Sequence, residues 1–369
     1  MSEWEKQSLS EFIELIGGGT PKTSIIEYWN GEIPWLSVVD FNTGKKYVFD
    51  AEKKITQLGL KNSSTKLLNA GDIIISARGT IGAIAVLAKE MTFNQSCYGV
   101  REVEEKSLTD FIYYLLKDTV TSLQQISHGG VFDTITRDTF KEIEVLLPPL
   151  PEQKAIAAVL SSLDDKIDLL HRQNLTLEAM AETLFRQWFV VEAREDWEEG
   201  TLNDLVEFNY GKTLRDQERS GYGFPVYGSS GIVGYHNEYL VEAPGIITGR
   251  KGTLGVINYS FQNFSPIDTT FYITSKIKSD GLFFEYFLLK TLNLGEMNSD
   301  SAVPGLNKNL AHGIQLTIPP ISLIEKFNQQ TKPLFKKLNV NQKQIQTLET
   351  LRDTLLPKLM SGEVRIECQ

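Results

Sequence analysis

Two stretches of the chain carry the same hydrophobic rhythm. From Ile156, seam positions step by four and three through Leu160, Leu163, Ile167, Leu170, Asn174, Leu177, Ala181, Leu184 and Trp188. From Phe327 the rhythm runs through Thr331, Leu334, Leu338, Asn341, Ile345, Leu348, Arg352, Leu355 and Leu359. A four–three repeat sustained this long predicts a helix with one apolar seam. Neither stretch has an interior glycine, and Pro333 kinks the second helix or marks its true start. If the helices lie antiparallel with Ile156 opposite Leu359, then Trp188 meets Phe327 and Asn174 meets Asn341. A polar pair in an apolar seam costs stability and fixes register. The alternative is that each asparagine is solvated at a helix bend.

Ahead of each helix the pattern is different. Ile73 to Ser76 and Gly245 to Thr248 are short apolar runs ending in glycine turns, the signature of strands. Phe111 to Lys117 and Phe283 to Lys290 read as helices. Ile143, Val145 and Leu147, like Ile314, Leu316 and Ile318, alternate before a Pro-Pro stop, as half-buried strands do. These elements recur in order. Trp4-Glu5, Leu9, Phe12, Gly18 and Thr20 return as Trp197-Glu198, Leu202, Leu205, Gly211 and Thr213, at an offset of 193. Gly79-Thr80-Ile81-Gly82 returns as Gly252-Thr253-Leu254-Gly255 at 173, and Pro148-Pro149 as Pro319-Pro320 at 171. The chain is therefore a tandem repeat. About twenty extra residues lie between Thr20 and Ala70 of the first copy. The expected organisation is a lobe over 1–150, a helix in 151–192, a second lobe over 193–320 and a second helix in 321–369. The fold class is α/β (α+β): two similar mixed lobes joined by antiparallel helices in a coiled coil, closed into a pseudo-twofold body.

Composition adds bounds. The 369 residues are 41 % hydrophobic and 23 % charged, an ordinary globular balance with apolar residues enough for more than one core. No long apolar run or basic-then-apolar leader at Met1 points to a membrane or secretion. Cys97 and Cys368 are too far apart in sequence to suggest a metal pair, and a reducing cytoplasm fits best. The net charge is −10, and only 321–369 is net positive, with 8 basic against 5 acidic residues. Binding of nucleic acid by such a chain rests on local clusters or on a partner's positive charge.

Catalytic motifs are missing. Gly211-Lys212-Thr213 suggests a phosphate loop, but the glycine required five residues earlier is Val206. His128, His171, His236 and His312 do not repeat between lobes and match no metal spacing. Asp164-Asp165 reads as a solvated helix face. No S-adenosylmethionine loop or methyltransferase motif is present, so no cofactor or metal is expected on this chain. What remains are polar tips of glycine-rich loops: Lys22, Arg78, Thr80, Asn94 and Gln95 in the first lobe, and Lys212, Thr213, Arg215, Tyr227, Ser229, Ser230, Arg250, Lys251 and Thr253 in the second. Such side chains read base edges and approach phosphates. They also suit ordinary hairpin turns. The turn glycines repeat while the tips differ: Ala77-Arg78 aligns with Arg250-Lys251, and Phe93-Asn94-Gln95 with Phe264-Ser265-Pro266.

The full order resembles the specificity subunit of type I restriction-modification enzymes. It comprises a lobe, Pro148 to Gln153 (Pro-Pro-Leu-Pro-Glu-Gln), a long helix, a second lobe, Pro319-Pro320, and a helix ending Leu355 to Glu363 (Leu-Leu-Pro-Lys-Leu-Met-Ser-Gly-Glu). Ile33 to Ser37 and Ala70 to Ser76 belong to the same pattern. The second lobe departs from it with Phe224-Pro225-Val226-Tyr227 and Pro244-Gly245. The resemblance implies a non-catalytic subunit whose lobes each read half of a split site in double-stranded DNA. It also implies helices that set the gap and dock methyltransferase subunits, endonuclease subunits in the complete assembly, and S-adenosylmethionine on the methyltransferase partners. The competing readings are a two-lobed protein-binding adaptor without DNA contact, which the acidic charge favours, and an independent hydrolase, for which no constellation is found.

Overall fold

The computed structural model describes residues 4–126, 134–297 and 305–366; His128 and Cys368 lie outside them. The chain forms two compact units, Met1–Leu170 with Gln344–Gln369, and His171–Lys343. Each holds one lobe and part of both long helices.

In the first unit a five-stranded sheet runs in the order Ile13–Gly17, Cys97–Glu102, Ile73–Ser76, Ile84–Leu87, Tyr47–Val48. A three-stranded sheet, Lys53–Ile55, Trp29–Leu36, Thr92–Phe93, packs beside it, and Glu5–Ser8 pairs antiparallel with Glu144–Leu147. The second unit repeats this with one strand fewer. Its main sheet is Val206–Tyr210, Thr270–Ser275, Gly245–Gly249, Ile257–Ser260; its small sheet is Gly231–His236, Phe224–Gly228, Ser265–Pro266; its end pair is Glu198–Thr201 with Gln315–Ile318. The extra strand of the first unit is Tyr47–Val48, beside Ile84–Leu87. Strand pairing places Trp35-Leu36 and Val226-Tyr227 in the same role. The offset is thus 191 there and 173 at Ile73/Ile246, and most of the insertion lies between Leu36 and Ile73. Lys46, just before the added strand, is buried and bonds Asp110 and the Ser161 hydroxyl at 2.7 and 2.8 Å.

The run Ile73-Ile74-Ile75 is apolar throughout because the strand is covered on both faces. Ile73 and Ile75 join the cluster under helix Thr109–Ile126, while Ile74 joins Leu36 and Phe93 on the other face. Ile246 and Ile247 divide likewise between the main core and a cluster with Tyr227 and Phe264.

The long helices span Leu150–Arg186 and Ile321–Met360. In the first unit Ile156 and Leu160 share a core with Leu356 and Leu359, and Ile167 and Leu170 meet Ile345 and Leu348. In the second, Trp188 faces Phe327 with ring centroids 6.1 Å apart, and Asn341 Nδ2 donates to Asn174 Oδ1 at 2.9 Å. Leu177, Leu184, Leu334 and Leu338 line the same seam, whereas Leu163 is half-buried and Leu355 packs at the rim of the first core. Pro333 does not start the second helix, which begins twelve residues earlier, directly after Pro319-Pro320. The carbonyl its ring deprives of a donor belongs to exposed Gln329.

Asp164 corrects the expectation of a solvated face. Only Asp165 is exposed. Asp164 accepts from Arg352 Nη1 and from the Tyr114 hydroxyl, both at 2.7 Å, with 9 % of its side chain accessible. At the offset of 171 the second unit holds buried Phe335 and Ala181 in place of Asp164 and Arg352.

Two outcomes follow for stability. Arg352→Ala leaves the Asp164 carboxylate unpaired and lowers unfolding free energy by roughly 3 kcal/mol in chemical denaturation, whereas Asp164→Leu/Arg352→Leu recovers most of the loss. Glu285 is fully buried in the second core, where burial pushes its carboxyl above the usual range while the Ser275 hydroxyl donates to it. A raised carboxyl contributes most below its unfolded pKa and loses that contribution as pH rises. Glu285→Gln therefore raises the melting temperature at pH 7 to 8, and the gain vanishes near pH 4.

Candidate nucleic-acid interface

In the first unit, strand Ile13–Gly17 ends where Cys97–Glu102 begins, Gly17 pairing with Tyr98, and Ile73–Ser76 ends beside Cys97. The loops after Gly17, after Ser76 and before Cys97 therefore leave one edge of the sheet. A fourth piece of backbone closes on them: Ala77 donates to the Ser96 carbonyl at 2.8 Å, and Ile135 donates to the Ala77 carbonyl at 2.9 Å. The second unit makes the same bonds, from Arg250 to Thr269 at 2.8 Å and from Leu306 to Arg250 at 2.9 Å. Its corresponding edge has Tyr210 paired with Phe271 and Gly249 with Thr270.

The glycines of this edge have two separate reasons. Gly79 and Gly82 take φ of +77° and +85°, and Gly252 and Gly255 +82° and +80°, a left-handed turn that other residues rarely adopt. Gly18 and Gly211 instead permit close approach: a Cβ on either would lie 2.1 Å from the carbonyl oxygen of Asn94 or Ile267. Crossing loops thus account for Gly211 in Gly211-Lys212-Thr213.

Most of the expected tip residues are exposed there: Lys22, Arg78, Thr80, Gln95, Lys212, Thr213, Arg215, Ser230, Lys251 and Thr253. Asn94, Ser229 and Arg250 are half-buried. The Thr20 hydroxyl donates to Gln95, joining two loops, while Asn94 Oδ1 accepts from Ser96 N at 3.0 Å. Ser229 Oγ lies 3.3 Å from where a Gly252 side chain would begin. The Arg250 guanidinium lies 5.1 Å from the centre of the Tyr210 ring and donates to the Asp268 carbonyl at 2.9 Å.

Tyr227 is a correction. It takes the place of Leu36, its ring packs edge-on against Phe264 at 5.7 Å, and burial pushes its hydroxyl pKa up. It belongs to the core beneath the loops. The loop alignment also changes. Thr92-Phe93 and Ser265-Pro266 pair equivalently, so Asn94-Gln95 corresponds to Ile267-Asp268 and not to Ser265-Pro266. The shared Phe in the two sequences misled, since buried Phe264 occupies the position of Met91.

Three residues at this edge escaped the sequence reading. Arg137 begins a short helix capped by Thr136, and its guanidinium sits 5.8 Å from the centre of the Tyr98 ring. Lys308 begins the matching helix, capped by Asn307, with its ammonium 6.0 Å from the Tyr210 ring centre. Tyr210 itself is 55 % exposed between Arg250 and Lys308. Lys308 also pairs with Glu207, which Lys276 holds at 3.1 Å, and the two cations draw the Glu207 carboxyl down to about 2. The offset of 171 that pairs Ile143 with Ile314 also pairs Arg137 with Lys308, so the signal was present.

Two further titratable groups, His312 and Cys97, have structural surroundings. His312 Nε2 accepts from Phe208 N at 3.3 Å, and burial lowers its pKa. Cys97 is buried and its thiol is pushed up to about 12. No cluster of three or more His, Cys, Asp or Glu side chains suited to a metal occurs among the described residues, and no helix there is long and apolar enough to cross a membrane.

A duplicated lobe with matched loop edges, each followed by a long helix, is an internally repeated α/β protein. The type I restriction-modification DNA specificity domain model matches residues 1–179 and 194–350, and the chain belongs to that family of non-catalytic specificity subunits. It is 30 % identical to the type I restriction enzyme MjaIX specificity subunit of Methanocaldococcus jannaschii, covering 99 % of this chain and 94 % of that protein. It is 25 % identical to the EcoprrI specificity subunit of Escherichia coli, covering 90 % and 89 %. The crystal structure of a type I S subunit from M. genitalium has the same fold, with a TM-score of 0.60 at 23 % identity over 97 % of this chain and 96 % of that one.

The placement of Tyr227 has a direct check. Tyr227→Ala opens a cavity beside Phe264 and costs about 3–5 kcal/mol in denaturant unfolding, whereas Ser230→Ala, at an exposed tip, shifts stability by less than about 0.5 kcal/mol.

Proposed function

We propose that the loop edge of each unit reads one half of a bipartite, asymmetric site in double-stranded DNA. In this reading the paired helices set the gap between half-sites and dock the methyltransferase subunits, and endonuclease subunits join the complete cytoplasmic assembly. The observation that carries it is a repeated edge with unlike tips. Both units present the same left-handed turn and the same backbone bonds, yet Asn94-Gln95 stands against Ile267-Asp268 and Gly19 against Lys212. Two unlike reading surfaces on one scaffold suit two unlike base sequences. S-adenosylmethionine is carried by the methyltransferase partners, and joint gripping of DNA with those partners reconciles DNA binding with the net charge of −10.

The test is to express this chain with its methyltransferase partner in a host lacking other modification and to map methylated positions by sequencing. The expected result is one two-part motif with a fixed gap; a contiguous motif, or none, overturns the reading. The first long helix has 37 residues, about 55 Å at roughly 1.5 Å each, which bounds the span at roughly 16 base pairs of about 3.4 Å. Inserting four residues after Thr176 lengthens the mapped gap and leaves both half-sequences unchanged. An unchanged gap argues against the helix as a ruler.

A further inference from the structure

The phosphate backbone is chemically the same at both halves of a split site, while the bases differ. A duplicated reader therefore keeps its cations where it meets phosphate and varies the side chains that meet bases. Superposing the repeats by strand pairing and backbone bonds sorts the loop edge in this way. Lys22 corresponds to Arg215: each offers its carbonyl to the amide three residues on, Ile25 at 3.2 Å and Glu218 at 3.0 Å. Arg78 corresponds to Lys251, which bridge Thr134 and Gly305 in turn. Arg137 corresponds to Lys308, each the first residue of a capped helix beside an aromatic ring. Three positions are thus basic in both units. By contrast Gly19 stands against Lys212, Ala77 against Arg250 and Gln95 against Asp268.

We propose that the three matched cation pairs, Lys22/Arg215, Arg78/Lys251 and Arg137/Lys308, grip DNA phosphates in both half-sites, while unmatched positions such as Gln95 and Arg250 read bases. The assignment rests on the DNA-reading function above and divides its contacts into two kinds. Five of the six cations are exposed. Lys308 is half-buried and shares Glu207 with Lys276, a trio that still carries one positive charge. The ring of Tyr210, between Arg250 and Lys308, holds both cations at the sheet edge.

The experiment uses the full chain assembled with its methyltransferase subunits. Affinity for fluorescent duplexes, with and without the mapped site, is measured across a salt series for Arg78→Gln, Lys251→Gln, Arg137→Gln and Lys308→Gln, alongside methylation mapping. Each is expected to weaken binding to both duplexes by the same factor and to lower the slope of log affinity against log salt by about 0.9, with the methylated sequence unchanged. Lys308→Arg, which keeps the charge and the Glu207 pair, is expected to restore the wild-type slope. Gln95→Ala is expected to alter one half of the methylated sequence, and Arg250→Ala the other half. A matched substitution that changes the methylated sequence, or a slope equal to that of the wild type, overturns the assignment. Failure of the unaltered assembly to bind any duplex instead overturns the DNA-reading function itself.

Discussion

Register between the two long helices is the constraint on which the remaining contacts depend. The side chains that lock the lobes to the helices are single, directional groups, and each has one place where it works. Tyr114 reaches Asp164, which also holds Arg352 from the opposite helix. Tyr286 and Lys290 both reach Glu178, at 2.7 and 2.8 Å. An apolar seam of leucines tolerates sliding by a heptad at modest loss, because one leucine resembles another. The Asn174–Asn341 bond does not tolerate it, and neither does the Asp164–Arg352 pair, since a slide leaves the buried Asp164 carboxylate without its counter-charge. Polar groups thus supply the uniqueness that apolar area alone leaves open.

The lobes show a similar division of labour between scaffold and surface. The strand centred on Ile74 and its counterpart at Ile246-Ile247 are buried on both faces, so their sequence is confined to apolar residues. The loops at the sheet edge are confined in their backbone by left-handed glycines and by crossing points where no side chain fits. Between these fixed points several side chains have diverged, Gln95 against Asp268 among them, while three positions are basic in both units. The enlargement of the first lobe obeys the same rule: the inserted strand is added at the free edge of the sheet and tied down by Lys46, leaving the four shared strands in their order.

How much of this was legible in the chain depends on the kind of constraint. Periodicity reports burial along one element, so the seam, its asparagine register and the buried strands could be read directly. It does not report what lies across an element. Phe185 and Phe335 escaped the seam reading because each helix buries a second face, Phe185 against Phe284 and Phe287 and Phe335 against Phe283 and Tyr259. Asp164 looked solvated because its partners come from residues 114 and 352. Tyr227 looked like a tip because it adjoins Gly228 and Ser229, although its strand is buried from Pro225 to Gly228 and its ring packs with Ile247 and Phe264. A single shared residue type can mislead, as the false match of Phe93 with Phe264 shows, whereas hydrogen-bond equivalence and the repeat offsets agree on the basic positions shared by both lobes.

The unlike ends of the seam also determine which helices are compatible with each other. The two long helices correspond to each other in the internal repeat, so in principle either could lie against a second copy of itself. In the observed pairing Asp164 meets Arg352, and residue 352 corresponds to Ala181 in the repeat. A first helix lying against another first helix would set the Asp164 carboxylate against Ala181, and a second helix against its like would set Arg352 against Phe335. The first arrangement buries the Asp164 carboxylate without its Arg352 partner, and the second leaves Arg352 only Asp353 of its own helix, at 2.8 Å. The Asp164–Arg352 ion pair therefore gives the duplicated segments distinct identities, much as a key differs from its lock, and favours the pairing of unlike helices over that of like ones.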